Sequence, residues 1–311
     1  MIYFIYGKDS YRSKIKLEEI IVGYKKVHKS GLNLIYINAK EKNFDDFYAN
    51  FKINSMFAEK KLVVLNNVFD NAKFYEEFLK ILKNIEELKD IVLIYENDSV
   101  DERIKIFKEL KKCAKCQEFD YLSPALLQKW VATEFEKKNI KINLDALNLL
   151  LNFVGNNLWQ MANEINKLSD YKKEGIVKKE DVELLVKPNI ENDIFKTIDA
   201  LASKNKKDAL TLIHKHLDNG DNTLYLLSMV AYQFRNLLSI KEMQDMQMPY
   251  NQIAKSCGLH PFVVQKSYHL CNQFSIEQLK KIYQKIFQVD FDVKSGKIEP
   301  ELALDLLLAE I

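Results

Sequence analysis

The sequence predicts an α/β domain built on a parallel sheet, followed by a small helical domain and an all-helical C-terminal domain. Three observations predict it. Over the first third of the chain, short β-branched or aromatic runs alternate with helix-period stretches, the pattern of strands joined by crossover helices. After Ser123-Pro124 nearly everything has helical period. Only 8 Gly and 5 Pro occur in 311 residues, so few points interrupt a long helix.

In chain order, strands are expected at Ile2–Tyr6, Leu32–Asn38, Lys61–Asn66 and Ile91–Tyr95, runs with β-branched and aromatic residues, and at about Lys115–Phe119. Between them lie amphipathic stretches at Ser10–His28, Phe44–Phe51, Ala72–Leu88 and Asp101–Lys112, the last with Ile104, Phe107 and Leu110 at helical spacing. Ser123 suits an N-cap with Pro124 in the first turn, opening a helix that carries Trp130 and Phe135. Asn139 to Asn143 reads as a short extended connector. Helices are then expected at Leu144–Phe153, Leu158–Tyr171, Lys179–Val186 and Asp193–Ser203. A last set follows at Lys207–Leu217, Asn222–Met243, near Tyr250–Ser256, Pro261–Cys271, Ile276–Val293 and Pro300–Ala309. The domain boundaries expected from this layout are 1–139, 140–205 and 206–311. No repeat has solenoid period.

Hydrophobic residues at 47% and charged residues at 29% exclude disordered, collagen-like and low-complexity classes. Forty-six basic against 44 acidic side chains leave a formal charge of +2, so affinity for nucleic acid does not follow from net charge. The Lys-Lys pairs, among them Lys60-Lys61, Lys111-Lys112 and Lys206-Lys207, are scattered and read as solvated faces, although a stripe assembled in three dimensions stays open. Four cysteines make no disulfide framework, and the opening run MIYFIYGKDSYR is too short for a secretory signal. A reduced, cytoplasmic protein is the expectation. No apolar run reaches the roughly 18 residues of a spanning helix, so no membrane association is expected.

A nucleoside-triphosphatase of this layout needs a glycine-rich loop after the first strand, ending in Lys and Ser/Thr, so that backbone N–H groups and magnesium can hold phosphates. Here the loop reads Tyr6-Gly7-Lys8-Asp9-Ser10-Tyr11-Arg12-Ser13-Lys14. It has one glycine, no such ending, and an Asp where the phosphate would sit. A plain strand-to-helix turn capped by Asp9 or Ser10 is the reading. Glu96 or Asp98, at the end of Ile91–Tyr95, stands where a magnesium-binding acid would close a strand, and surface carboxylates are the reading preferred there. No catalytic residues, no cofactor site and no metal site are assigned. Cys113 and Cys116 have the spacing of half a zinc site with no second pair at ribbon spacing, and read as ordinary thiols. His214 and His216 lie about 200° apart on a helix, wrong for one metal, and read as helix-surface histidines.

One further segment stands out: Asn54-Ser55-Met56-Phe57-Ala58-Glu59-Lys60-Lys61, just before an apolar strand. On a helical turn capped by Asn54 or Ser55, Met56 and Phe57 lie about 100° apart and cannot both enter one core pocket. An interface anchor and a plug for the end of the sheet are both open on residue types alone.

Taken together these residues resemble the delta subunit of the bacterial DNA polymerase III clamp loader, over essentially the whole chain. The phrases that carry it are Tyr3-Phe4-Ile5-Tyr6-Gly7-Lys8-Asp9-Ser10-Tyr11 and Ser55-Met56-Phe57-Ala58-Glu59-Lys60-Lys61-Leu62-Val63-Val64-Leu65. Gly155-Asn156-Asn157-Leu158, Asn163-Glu164-Ile165-Asn166-Lys167-Leu168 and Tyr232-Gln233-Phe234-Arg235-Asn236-Leu237-Leu238 follow. Gly258-Leu259-His260-Pro261-Phe262 and Asp292-Val293-Lys294-Ser295-Gly296 complete the order.

The resemblance implies an AAA+/RecA-like N-terminal domain that has lost its nucleotide site, a helical lid, and a C-terminal collar shared with the gamma/tau and delta prime subunits. It implies no catalysis by this chain, which would be a subunit of a DNA-directed DNA polymerase holoenzyme. The family opens the ring-shaped sliding clamp, the beta subunit, with a hydrophobic pair on a short helix. Met56 and Phe57 match that pair, with Ser55 beside them, and the clamp would then be loaded onto primed DNA. Met stands where Leu is also found, a volume-conserving change. The Ser-Arg-Cys trio of the ATP-acting loader subunits is not found, and Ala114-Lys115-Cys116 is not that motif. Two other readings remain to be tested: an active AAA+ ATPase with a degenerate loop, and a free-standing DNA-binding helical protein.

Overall fold

The computed structural model describes residues 1–29, 31–52, 60–87, 90–188 and 190–311. They fall into two compact units, Met1–Tyr121 and Leu122–Ile311.

The first unit runs β1 (Ile2–Tyr6), α1 (Ser10–Val27), β2 (Leu34–Asn38), α2 (Phe44–Lys52), β3 (Leu62–Asn66), a 3₁₀ turn (Val68–Asp70), α3 (Ala72–Glu87), β4 (Ile91–Tyr95), α4 (Lys105–Cys113) and β5 (Lys115–Glu118). The strands form one parallel five-stranded sheet in the order β2-β3-β4-β1-β5. Both faces of β1, β3 and β4 are covered, which is why these strands read as near-continuous apolar runs, while the edge strand β5 is mostly exposed. Phe4, Val63, Leu65, Val92 and Ile94 pack with Phe47, Phe74, Phe78, Ile106 and Phe107 from α2, α3 and α4 on one face. Ile5, Leu62, Val64 and Leu93 pack with Leu17, Ile21 and Tyr24 of α1 on the other. Along α1 the buried set Ser13, Leu17, Ile21 and Tyr24 recurs at one helical face, so the helix lies flat on the sheet.

Two bounds differ from the sequence reading for local reasons. β2 starts at Leu34 because Gly31, at φ +69°, opens a turn in which Leu34 N–H donates to Gly31 O at 3.3 Å. α4 starts at Lys105 because the Asp101 carboxylate accepts from Arg103 N–H at 2.9 Å and from its guanidinium, holding the preceding residues in a turn.

The second unit runs α5 (Pro124–Glu136), β6 (Ile140–Ile142), α6 (Leu144–Val154), α7 (Leu158–Lys172), β7 (Gly175–Val177), α8 (Lys179–Leu185) and α9 (Ile190–Ala202). It continues with α10 (Lys206–Asp218), α11 (Thr223–Asp245), α12 (Tyr250–Cys257), α13 (Pro261–Tyr268), a 3₁₀ turn (Leu270–Gln273), α14 (Ile276–Lys294) and α15 (Pro300–Glu310). Ser123, Asn143, Asn157, Asn205, Asn222 and Ser275 each accept a backbone N–H at the start of the helix that follows, so the sequence itself sets most of these starts. β6 and β7 form a small parallel pair, Ile140 opposite Gly175 and Ile142 opposite Val177, so the extended connector expected at Asn139 to Asn143 is a paired strand, an exception to the helical period expected after Ser123-Pro124. The centre of the C-terminal core is α11, whose Leu226, Val230, Phe234, Leu237 and Ile240 pack with Ile194 and Ile198 of α9, Ile213 of α10, Leu279 and Ile286 of α14, and Leu304 and Leu308 of α15.

Among the described residues no helix is long and apolar enough to cross a membrane.

Candidate functional site

The corner between β1 and α1 is where a sheet of this strand order would take a phosphate, because β1 sits at the point where the chain reverses its direction across the sheet. The corner is instead closed by its own groups. Gly7 N–H donates to Asp98 O at 3.0 Å, and Asp9 N–H donates to Phe119 O at 2.9 Å. Asp9, buried, is the N-cap: its carboxylate accepts from Arg12 N–H at 3.0 Å and from Arg12 Nε at 2.6 Å. The same guanidinium donates to Asp120 O and lies over the Phe119 ring. A carboxylate therefore takes the seat at the helix N-terminus that would attract a phosphate, and its charge is already matched. Of the two residues proposed as cap from sequence, Asp9 is the one used.

Glu96 corrects the sequence reading. It is not a surface carboxylate but 5% exposed, and Oε1 accepts from Phe69 N–H at 3.2 Å in the turn after β3. Burial pushes its pKa up from 4.5 to about 7, with the neighbouring Asp70 adding to the rise and the backbone N–H groups of Phe69 and Val68 and the charge of Lys40 opposing it. Because the folded state holds this proton more tightly than the unfolded chain, the associated stability is fully present below pH 4.5 and is lost as pH rises through about 7. The loss amounts to about 3 kcal/mol. Glu96→Gln keeps an acceptor and removes the charge, so it is expected to stabilise the first unit by about 1–3 kcal/mol at pH 8 and by far less at pH 5. Urea unfolding at the two pH values checks this, and an equal difference at both would contradict it. Asp98, by contrast, is exposed and accepts from Ser99 N–H at 2.6 Å.

Ser55, Met56 and Phe57 lie outside the described residues. The elements on either side of 53–59 are described, and they are tied together. Lys61 is buried, 4% exposed, and its ammonium donates to Asn50 O at 3.1 Å and Phe51 O at 2.9 Å, the last-turn carbonyls of α2. Lys61 N–H donates to Asp90 Oδ1 at 2.9 Å, and the Tyr24 hydroxyl donates to Lys60 O at 2.6 Å. Leu62 N–H donates to Asn33 O at 2.9 Å. The pair Lys60-Lys61, read from sequence as a solvated face, thus has one exposed member and one buried helix cap. The signal was available: Lys61 directly precedes a strand, Leu62–Asn66, whose first four residues are all buried.

The histidine reading is half corrected. His214 is exposed and 3.0 Å from Asp305, but His216 is buried, its Nδ1 2.8 Å from Asp221 Oδ2. Among the described residues no group of three or more His, Cys, Asp or Glu side chains could hold a metal ion. Cys113, Cys116 and Cys257 are half-buried and form no disulfide, and burial pushes buried Cys271 up to about 12. Sequence reasoning missed two exposed apolar pairs at helical i, i+4 spacing, Phe287 and Phe291 on α14 and Leu302 and Leu306 on α15. On α14 the signal was available, since Phe287 and Phe291 stand in a stretch rich in charged and polar residues, whereas Leu302 and Leu306 lie in a leucine-rich run that reads as core.

Residues 3–120 match the family model described as "DNA polymerase III, delta subunit", and residues 191–311 match "DNA polymerase III delta subunit, C-terminal domain". Among curated proteins the chain is similar to the DNA polymerase III subunit delta of Bacillus subtilis (strain 168), 25% identical over 323 residues, covering 100% of this chain and 92% of that protein. It is also similar to the probable DNA polymerase III subunit delta of Aquifex aeolicus (strain VF5), 23% identical over 304 residues, covering 93% of this chain and 85% of that one. Among solved structures, the Bacillus subtilis DNA clamp loader delta protein shares its fold, with a TM-score of 0.76 at 23% identity over 99% of this chain and 94% of that chain.

Proposed function

The chain belongs to the delta-subunit family of DNA polymerase III, whose two models together match well over half of it, and on that premise we propose that it opens the sliding clamp by binding rather than by chemistry. In this reading Met56 and Phe57, with Ser55 beside them, enter an apolar pocket of the clamp near a ring interface. They hold the open ring more tightly than the closed one, which is the differential affinity an opening equilibrium requires. ATP bound and hydrolysed by the gamma/tau subunits governs when this contact is made and released, and the clamp passes onto primed DNA.

The observation that carries this reading is the closed β1–α1 corner. Donors that would cradle a phosphate are bonded to Asp98 O, Phe119 O and the Asp9 carboxylate, which supports a subunit without ATP hydrolysis or any catalysis of its own. A three-part division of labour goes with it: 1–139 meets the clamp, 140–205 corresponds to the lid, and 206–311 joins gamma/tau and delta prime in the collar. α9, at the seam of the last two, lends Ile194, Ile198 and Leu201 to the C-terminal cluster. The exposed Phe287 and Phe291 supply apolar area for a collar neighbour. The setting is the bacterial cytoplasm, at the replication fork.

Ring opening tests the proposal. A clamp carrying a self-quenching fluorophore pair across its interface should brighten on addition of the wild-type chain without nucleotide. No brightening by well-folded chain, or tight binding of a labelled ATP analogue by the chain alone, would overturn it and favour the degenerate-loop ATPase.

A further inference from the structure

The phrase Tyr232-Gln233-Phe234-Arg235-Asn236-Leu237-Leu238 lies in the middle of α11, and clamp opening makes no use of it. Two of its polar side chains are buried, Gln233 and Asn236, each 2% exposed. They stand three positions apart on one helical face, a spacing that puts their Cβ atoms roughly 5–6 Å from each other. Val230, Leu237 and Ile240 of the same helix belong to the C-terminal core. Two carboxamides thus enter a layer that α11 otherwise builds from apolar side chains.

Other polar side chains of α11 find main-chain carbonyls. Ser228 Oγ donates to Leu224 O at 2.8 Å, and Gln244 Nε2 donates to Tyr268 O at 3.0 Å. Among the described residues, Gln233 Oε1 and Asn236 Nδ2 have no protein partner, although both atoms are shielded from solvent. One is an acceptor and the other a donor, yet they do not bond to each other. A buried donor or acceptor left unpaired costs its full desolvation, so native interiors supply a partner, and where protein groups do not reach, that partner is ordered water. Water can accept from Nδ2 and donate to Oε1 at once. With both side chains closed off from the surface, a group of another chain does not reach them.

We propose that Gln233 and Asn236 hold one buried water molecule between them, accepting from Asn236 Nδ2 and donating to Gln233 Oε1, as a built-in part of the C-terminal core. The bridge bears on how α11 packs. This helix buries side chains over a wide arc, with Leu227 and Ile240 roughly 140° apart around its axis, and apolar contacts of that breadth specify its rotation weakly. A polar pair that is satisfied in one orientation and stranded in the others specifies it sharply.

A crystal structure of the full chain at a resolution that shows ordered water tests this. One water within about 3.2 Å of both carboxamides is the expected result. A direct bond between the two side chains, protein partners for both, or a dry contact would overturn the proposal. In solution, the Asn236 side-chain amide protons of the isotope-labelled chain should show nuclear Overhauser cross-peaks to a long-lived water, and Gln233→Met, which keeps the side-chain length and removes the acceptor, should weaken them strongly. Absence of these cross-peaks in the wild type would contradict the bridge. Thermal melts give a readout that does not require the water to be seen. Gln233→Met and Asn236→Leu should each lower the midpoint, because each leaves the other carboxamide short of a partner, while the double variant should melt no lower than the less stable single one. Additive losses would overturn the pairing, and if the variants do not fold, the two wild-type measurements decide.

Discussion

Gly7→Ala is expected to unfold the first unit, or to destabilise it by about 3 kcal/mol or more. Gly7 has φ +128°, a region closed to side chains bearing a Cβ. A Cβ built there would stand 2.3 Å from Phe119 O, a backbone atom that cannot rotate away. That carbonyl accepts Asp9 N–H, and the neighbouring Phe119 N–H donates to Tyr6 O at 2.8 Å, so relief of the clash means separating β5 from the β1–α1 corner. Guanidinium unfolding followed by circular dichroism checks this: the midpoint of the first unit should fall sharply or its transition vanish. A variant with wild-type stability would show that the corner is looser than its hydrogen bonds imply. The expectation bears on function because the close approach that excludes a Cβ is also what turns the amides of Gly7 and Asp9 onto protein carbonyls.

The parallel sheet was legible because its strands are buried on both faces: Leu62–Leu65 and Val92–Tyr95 carry no polar residue, and no other element explains so short an apolar run. Helix starts were legible where a capping side chain sits beside the first turn, as at Ser123, Asn143 and Ser275. What escaped depends on partners distant in sequence. β6 and β7 are three residues each, and Ile140–Ile142 becomes a strand only because Gly175–Val177 arrives beside it. Pro261–Cys271 read as one helix, yet it ends at Tyr268 and gives way to a 3₁₀ turn whose Leu270 and Cys271 are drawn into the C-terminal core. The burial of Glu96 follows from the turn after β3 folding over the end of β4, and that of Lys61 from the end of α2 lying against the foot of β3. Neither is a property of neighbours along the chain. The candidate clamp contact was read from the Ser55-Met56-Phe57 phrase and its order among the other phrases, while the bonds that hold its flanks were legible only in three dimensions.

The largest effect on binding is expected from Met56→Ala/Phe57→Ala. Full burial of each side chain by a partner contributes about 1.5–3 kcal/mol, and alanine retains only a small part of that. Together the two changes should remove at least about 3 kcal/mol, a loss of roughly 100-fold or more in affinity, without altering the fold of either unit. The central claim, that this subunit acts by gripping the clamp through these two side chains, is tested most directly by calorimetric titration of the purified chain into its own sliding clamp, wild type beside the double variant. Tight binding by the wild type that the double variant loses is the predicted result. Equal binding by both, or none by a folded wild type, would contradict it.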